Sequence, residues 1–210
     1  MQRDDSTLAE TPDEALLAAG FAQGENFAQV LLGALHDASP RRRIVALRGA
    51  LRQSLASTEV WLEALGDRDH EVRREALNLI AHASTDFEQV AARIVELLVD
   101  PDPLVVDGAL FALGEHAYAG ALEQVVELAG HHDDPRCRET AVAVLGVLGD
   151  DRARAAIIAA LEDKPPVRRR AIVALANFEG PDIDEALERA SEDRDWQVRA
   201  AVDQLGRAED

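Results

Sequence analysis

The residues in this chain best suited to chemistry are His131-His132-Asp133-Asp134, His70-Glu71 and the single Cys137. Imidazole and carboxylate together suit a transition metal, and the first run offers both. Adjacent histidines rarely reach one ion well, so the expectation is a solvated loop. His70-Glu71 stands alone, and one such pair cannot build a dinuclear centre. Cys137 occupies a position that is Val72, Val105, Val167 and Val198 in matching segments, which reads as a buried core thiol rather than a nucleophile. No Gly-rich phosphate loop, nucleophile elbow or triad spacing is visible. The chain is therefore expected to have no catalytic residues, no metal site and no cofactor.

What recurs instead is a phrase: an acidic residue, a short turn, Val-Arg, Ala three residues later, then Leu-Gly or similar. It reads Asp67, Val72-Arg73, Ala76, Ile80, then Asp100, Val105-Val106, Ala109, Leu113-Gly114. Further copies run from His132 through Cys137-Arg138, from Glu162 through Val167-Arg168, and from Asp193 through Val198-Arg199. An earlier copy starts at Asp37 with Arg43. The Arg positions (43, 73, 106, 138, 168, 199) fall roughly 30 to 33 residues apart, a period that marks stacked helix pairs.

The pairs must therefore carry whatever the chain does. First helices are expected near 25–36, 58–66, 86–99, 119–130, 151–162 and 183–192. Second helices are expected near 40–54, 70–83, 103–116, 135–148, 166–178 and 196–207. Pro40, Pro103, Pro135 and Pro166 lie at or beside the start of four second helices, where a missing N–H costs nothing. Residues 1–12 read as a polar, disordered lead, residues 13–19 as a short N-terminal cap, and residues 13–210 as one solenoid. Counted from each Arg position, offsets -1, +3, +4 and +7 are almost always apolar and cluster on one side of a helix. Small residues at +8 (Ala81, Gly114, Gly146, Ala176) mark close approach of a neighbour. Trp61 matches Ile94 and Ile157 and is expected in the core.

The unit with Val-Arg-x-x-Ala resembles the short HEAT-like repeats, the type also found in phycobilisome lyase subunits. That resemblance implies an all-α, right-handed α-solenoid of about six helix pairs. It also implies an Asp–Arg ladder along the turns, pairing Asp37 with Arg43, Asp67 with Arg73 and Asp193 with Arg199. Repeat three departs, carrying Val106, so Asp100 needs another donor. Diiron hydroxylases of similar fold carry His-Glu directly after the Arg, and no matching pair here contains His. The lyase resemblance rests on the repeat itself and brings no catalytic residue.

A formal net charge of -18 opposes DNA and anionic membranes. One cysteine allows no internal disulfide, and no run reaches the ~18 apolar residues of a membrane span. The start lacks a signal-peptide core, which reads as a cytoplasmic protein. Offsets +1, +2, +5 and +9 should face solvent and line a groove. The expected groove residues are Arg48, Arg52, Arg74, Asn78, His82, Phe111, Glu115, Val147, Val173 and Asn177. Phe111, Ala143, Val147 and Val173 are apolar where polar residues would be neutral, and Arg41, Arg42, Arg43, Arg48 and Arg52 form a basic cluster. An apolar strip beside a charged rim suits a protein or peptide partner. The alternative is that curvature buries the strip. A non-catalytic interaction scaffold is the first reading, and an accessory or lyase-type subunit handling a bound cofactor is the second.

Overall fold

The computed structural model describes residues 13–21, 25–83 and 86–208. The expected disordered lead at 1–12 lies outside them. Among the described residues every regular element is helical, and none is long and apolar enough to cross a membrane. The chain forms two compact units, Met1–Ala76 and Leu77–Asp210.

The first unit holds α1 (Asp13–Ala19), α2 (Glu25–Ala34), α3 (Pro40–Arg52), α4 (Thr58–Leu65) and the start of α5 (His70–His82). As expected of a cap, α1 packs on both α2 and α3. Leu16 and Ala19 are buried there in one cluster with Leu31, Ala34 and Ala46. Contact is close because Gly49 has no side chain: a Cβ there would sit 2.5 Å from a Leu31 methyl. Trp61 is 1% exposed and belongs to the core.

The second unit continues with α6 (Glu88–Glu96), α7 (Pro103–Glu115), α8 (Leu122–His131), α9 (Pro135–Leu148), α10 (Arg154–Ala159), α11 (Pro165–Leu175), α12 (Pro181–Ser191) and α13 (Trp196–Ala208). The first helices α6, α8 and α10 are shorter than their expected spans because their ends tighten into 3-10 turns, at Leu97–Val99, Ala119–Ala121, Asp151–Ala153 and Ala160–Glu162, a common form of helix terminus. Starts are set by local chemistry. Pro103 and Pro135 follow the caps Asp102 and Asp134, whose carboxylates accept from Leu104 N–H and Arg136 N–H. Gly149 ends α9 in the left-handed region at φ 59°, which glycine adopts without steric cost.

The apolar offsets of α5, α7, α9 and α11 are interior. Val105, Ala109, Leu110 and Leu113 of α7 are fully buried, as are Cys137, Ala141, Val142 and Leu145 of α9. Second helices pack side by side, α7 on α9, α9 on α11 and α11 on α13, while α8 packs on α9. The small +8 residues allow this. A Cβ on Gly114 would come within 2.9 Å of Val144, and one on Gly146 within 2.7 Å of the Ala174 Cβ. Gly146→Ala is accordingly expected to destabilise the fold by about 1–3 kcal/mol through overpacking. Gly130→Ala meets nothing within 4 Å and should be neutral or stabilising by up to about 1 kcal/mol. Equal urea midpoints for the two variants would contradict this packing.

Candidate protein-interaction surface

Two surfaces of the repeats carry polar chemistry: the edge formed by the turns and the outward face of the second helices. At the edge the ladder exists, but with a different connectivity from the expected one. Arg43 donates through Nη1 to the backbone carbonyls of Asp37 and Ala38, at 2.8 and 3.1 Å. Its Nε and Nη2 grip the two carboxylate oxygens of Asp67, both at 2.7 Å. Arg138 repeats the pattern, with Nη1 on the His132 and Asp133 carbonyls and a fork on Asp163 at 2.6 and 2.7 Å. Arg43 and Arg138 thus each take two backbone carbonyls from their own turn and the carboxylate from the next. The expected pairing of Asp37 with Arg43 is corrected accordingly. Arg73 and Arg199 likewise donate to the backbone carbonyls of Asp67 and Asp193, at 2.8 and 2.6 Å.

The carboxylates have a second duty, which explains the swap. Asp37, Asp67 and Asp193 each accept the backbone N–H two residues on, so each is turned across its own turn and away from its own Arg. In the fifth repeat the ladder acid is Asp163, not Glu162. Arg168 makes a single bond to Asp193, at 2.7 Å, and its Nε is a buried nitrogen without a partner among the described residues.

Arg138's hydrogen bond holds the Asp163 carboxyl below its ordinary value of 3.8. For Asp67, burial pushes upward but the Arg43 bond and the Asp69 N–H outweigh it, and the net shift is again downward. A depressed carboxylate adds stability above its unfolded pKa and loses it as pH falls through the folded one. The urea midpoint should therefore stay flat down to about pH 5 and fall as pH drops below the ordinary carboxylate value. Arg138→Gln should remove the Asp163 share of that fall, and an unchanged acid slope would contradict it.

Four of the five arginines of the basic cluster are engaged internally, and Arg41 is exposed. Arg42 pairs with Asp13 and Asp37, and Arg43 is 5% exposed in its rung. Arg48 is bidentate on Glu75, at 2.6 and 2.9 Å. Arg52 donates to the Gly20 carbonyl and lies 4.1 Å over the Phe21 ring. Arg74 is exposed. These partners leave the cluster little free charge with which to hold an acidic segment.

On the second unit, every expected groove residue is exposed: Asn78, His82, Phe111, Glu115, Val147, Val173 and Asn177. Phe111 is 39%, Val147 58% and Val173 56% exposed. The curvature that would bury them is not seen. Phe111 and Val173 share offset +5 on α7 and α11, with half-buried Ala143 at the same offset on α9 between them and Val147 one turn further along α9. The Phe111 ring leans on His82, centroids 5.7 Å apart. Offsets +1 and +2 are less open than expected. Asp107, Glu139 and Thr140 are half-buried, because this row bridges neighbouring helices: Thr140 donates to Asp107 at 2.6 Å and Arg170 stands 3.7 Å from Glu139.

Cys137 and His132 serve the fold. The Cys137 thiol is fully buried, 3.2 Å from the Pro103 carbonyl, and burial pushes its pKa up to about 12. His132 accepts the Asp134 N–H at 3.0 Å through Nδ1, taking the place of a turn aspartate. Among the described residues no group of three metal-ligating side chains comes together.

The pattern of HEAT repeats matches residues 58–146, 94–176 and 123–206. Those spans take in most of the chain, and it belongs to the HEAT-repeat family. No match was found among curated proteins. Among solved structures, an engineered protein is similar at 21% identity and TM-score 0.64, over 85% of this chain and 94% of that one. YibA of E. coli is similar at 14% identity and TM-score 0.65, over 92% and 74%. A designed armadillo repeat protein in complex with the peptide (KR)4 is similar at 19% identity and TM-score 0.57, over 93% and 98%. At these identities the likeness concerns the fold.

Proposed function

We propose that this chain is a non-catalytic scaffold that binds another protein or peptide segment through the strip of Phe111, Val147 and Val173. The observation that carries the reading is the exposure of three large apolar side chains on the neighbouring second helices α7, α9 and α11, on a face that periodicity assigns to solvent. An apolar patch bordered by His82, Glu115 and Asn177 has the make-up of an interface centre with a polar rim. The designed armadillo protein crystallised with (KR)4 shows that a repeat solenoid of similar fold can hold a peptide. The internal pairing of the Arg cluster shifts the partner's expected character. Instead of an acidic segment, an apolar one with basic flanks suits a chain of net charge -18.

A photo-crosslinking residue at Val147 tests this in native lysate, with the same residue at exposed Glu188 of α12 as reference. A discrete partner captured from position 147 and absent from 188 is the expected result. Identical capture from both positions would count against the strip.

A further inference from the structure

We propose that the cleft between α6–α7 and α8–α9 is a docking site for an arginine side chain of a partner protein. This surface is separate from the strip and stands without it. Along the ladder, the guanidiniums of Arg43, Arg138 and Arg168 each bridge their own turn and the carboxylate of the next, Asp67, Asp163 and Asp193. Between α7 and α9 both halves of the rung are replaced together. The cation position is Val106, 1% exposed. The carboxylate position is His132, whose ring nitrogen keeps the aspartate's local duty of accepting a turn N–H. The rung is therefore missing as a whole, rather than half made.

A cleft opens at this seam. It measures about 520 Å³, against about 410 Å³ beside the rung of Arg168 and Asp193 and about 10 Å³ beside that of Arg43 and Asp67. Leu98, Val99, Pro101 and Leu128 supply apolar walls, and Glu127 and Asp133 supply negative charge. Val99 is 85% exposed, an apolar surface on which a methylene stem can lie while its charged head meets carboxylates. Those two requirements together describe arginine, whose planar fork also suits two acceptors. Charge separates this cleft from the one beside Arg168, where three arginines (Arg168, Arg189 and Arg194) outnumber two acids, Glu162 and Asp193, so a cation is better received at the first.

The probe is acetyl-Ala-Arg-Ala-amide, with Lys and Gln versions as references, followed by backbone amide shifts at Val99, Leu128 and Asp133. The Arg peptide should shift these residues, the Lys peptide should bind at least about threefold more weakly, and the Gln peptide should not bind. The double variant Val106→Arg with His132→Asp rebuilds the rung. It adds one charge of each sign, so general attraction to the acidic chain is unchanged. It should melt higher and bind the Arg peptide at least about tenfold more weakly, the loss expected for one charge-assisted contact. Asp133→Asn, at an exposed position, should weaken binding about as much without altering the melt, which decides the matter if the double variant fails to fold. The proposal is overturned if the wild type shows no shifts at these residues or if the Gln peptide binds as well as the Arg peptide. It is equally overturned if the folded double variant binds undiminished, or if the wild type forms a dimer that this variant abolishes, since the cleft would then belong to a second copy.

Discussion

Asp67→Ala is expected to destabilise the fold by about 3–5 kcal/mol, because it leaves the Arg43 guanidinium buried without its counter-charge. Arg43 is 5% exposed and Asp67 13%, so water cannot readily replace the lost acceptor. The two carboxylate oxygens also take both remaining arms of the fork and the Asp69 N–H. Asp163→Ala should behave similarly through Arg138. Val106→Ala removes only packing, about 2 kcal/mol of transfer free energy, and its cost should not depend on salt. Replacing Arg43 and Asp67 together by apolar residues of similar volume should cost far less than either single change, since the pair's own desolvation opposes its attraction. Urea denaturation of the set decides this. A loss from Asp67→Ala no larger than that from exposed Asp184→Ala would remove the ladder from the account.

Phe111→Asp is expected to weaken the partner captured at Val147 by at least about thirtyfold while leaving the melting temperature nearly unchanged. A buried aromatic anchor commonly contributes 2 kcal/mol or more to binding, which sets the scale. The fold should tolerate the change because the ring already stands 39% exposed and leans on His82, itself exposed. Cooperative loss of structure in this variant would return Phe111 to the core. Retained structure with undiminished binding would move the site elsewhere.

The helix pairs were legible because burial in a stacked repeat follows a single periodicity. Val105, Ala109, Leu110 and Leu113 announce one face of α7, and the same spacing recurs in α9 and α11. Trp61 and Cys137 were placed by alignment with aliphatic counterparts. The ladder's direction was not legible. Sequence shows Asp37 and Arg43 six residues apart, whereas stacking brings Asp67, 24 residues on, closer to the guanidinium. Nor could adjacent acids such as Glu162 and Asp163 be told apart without the turn. The half-covered +1 and +2 rows escaped for a related reason: a helical wheel describes one helix, and those positions lie at the seam between two. One signal was available and unread. Val106 and His132 depart from the repeat in the two positions of a single rung, and a cross-repeat pairing would have joined them. The exposure of Phe111, Val147 and Val173 needed coordinates, because a modest increase in curvature would have closed over them.

Hydroxyl-radical footprinting of the chain with and without the partner captured at Val147 addresses the proposed strip most directly. Side-chain oxidation at Phe111, Val147 and Val173 should fall together on complex formation, while Trp196, 66% exposed at the start of α13, keeps its rate. Protection confined to the first helices α8, α10 and α12, with Phe111 oxidised as fast as before, would contradict the account.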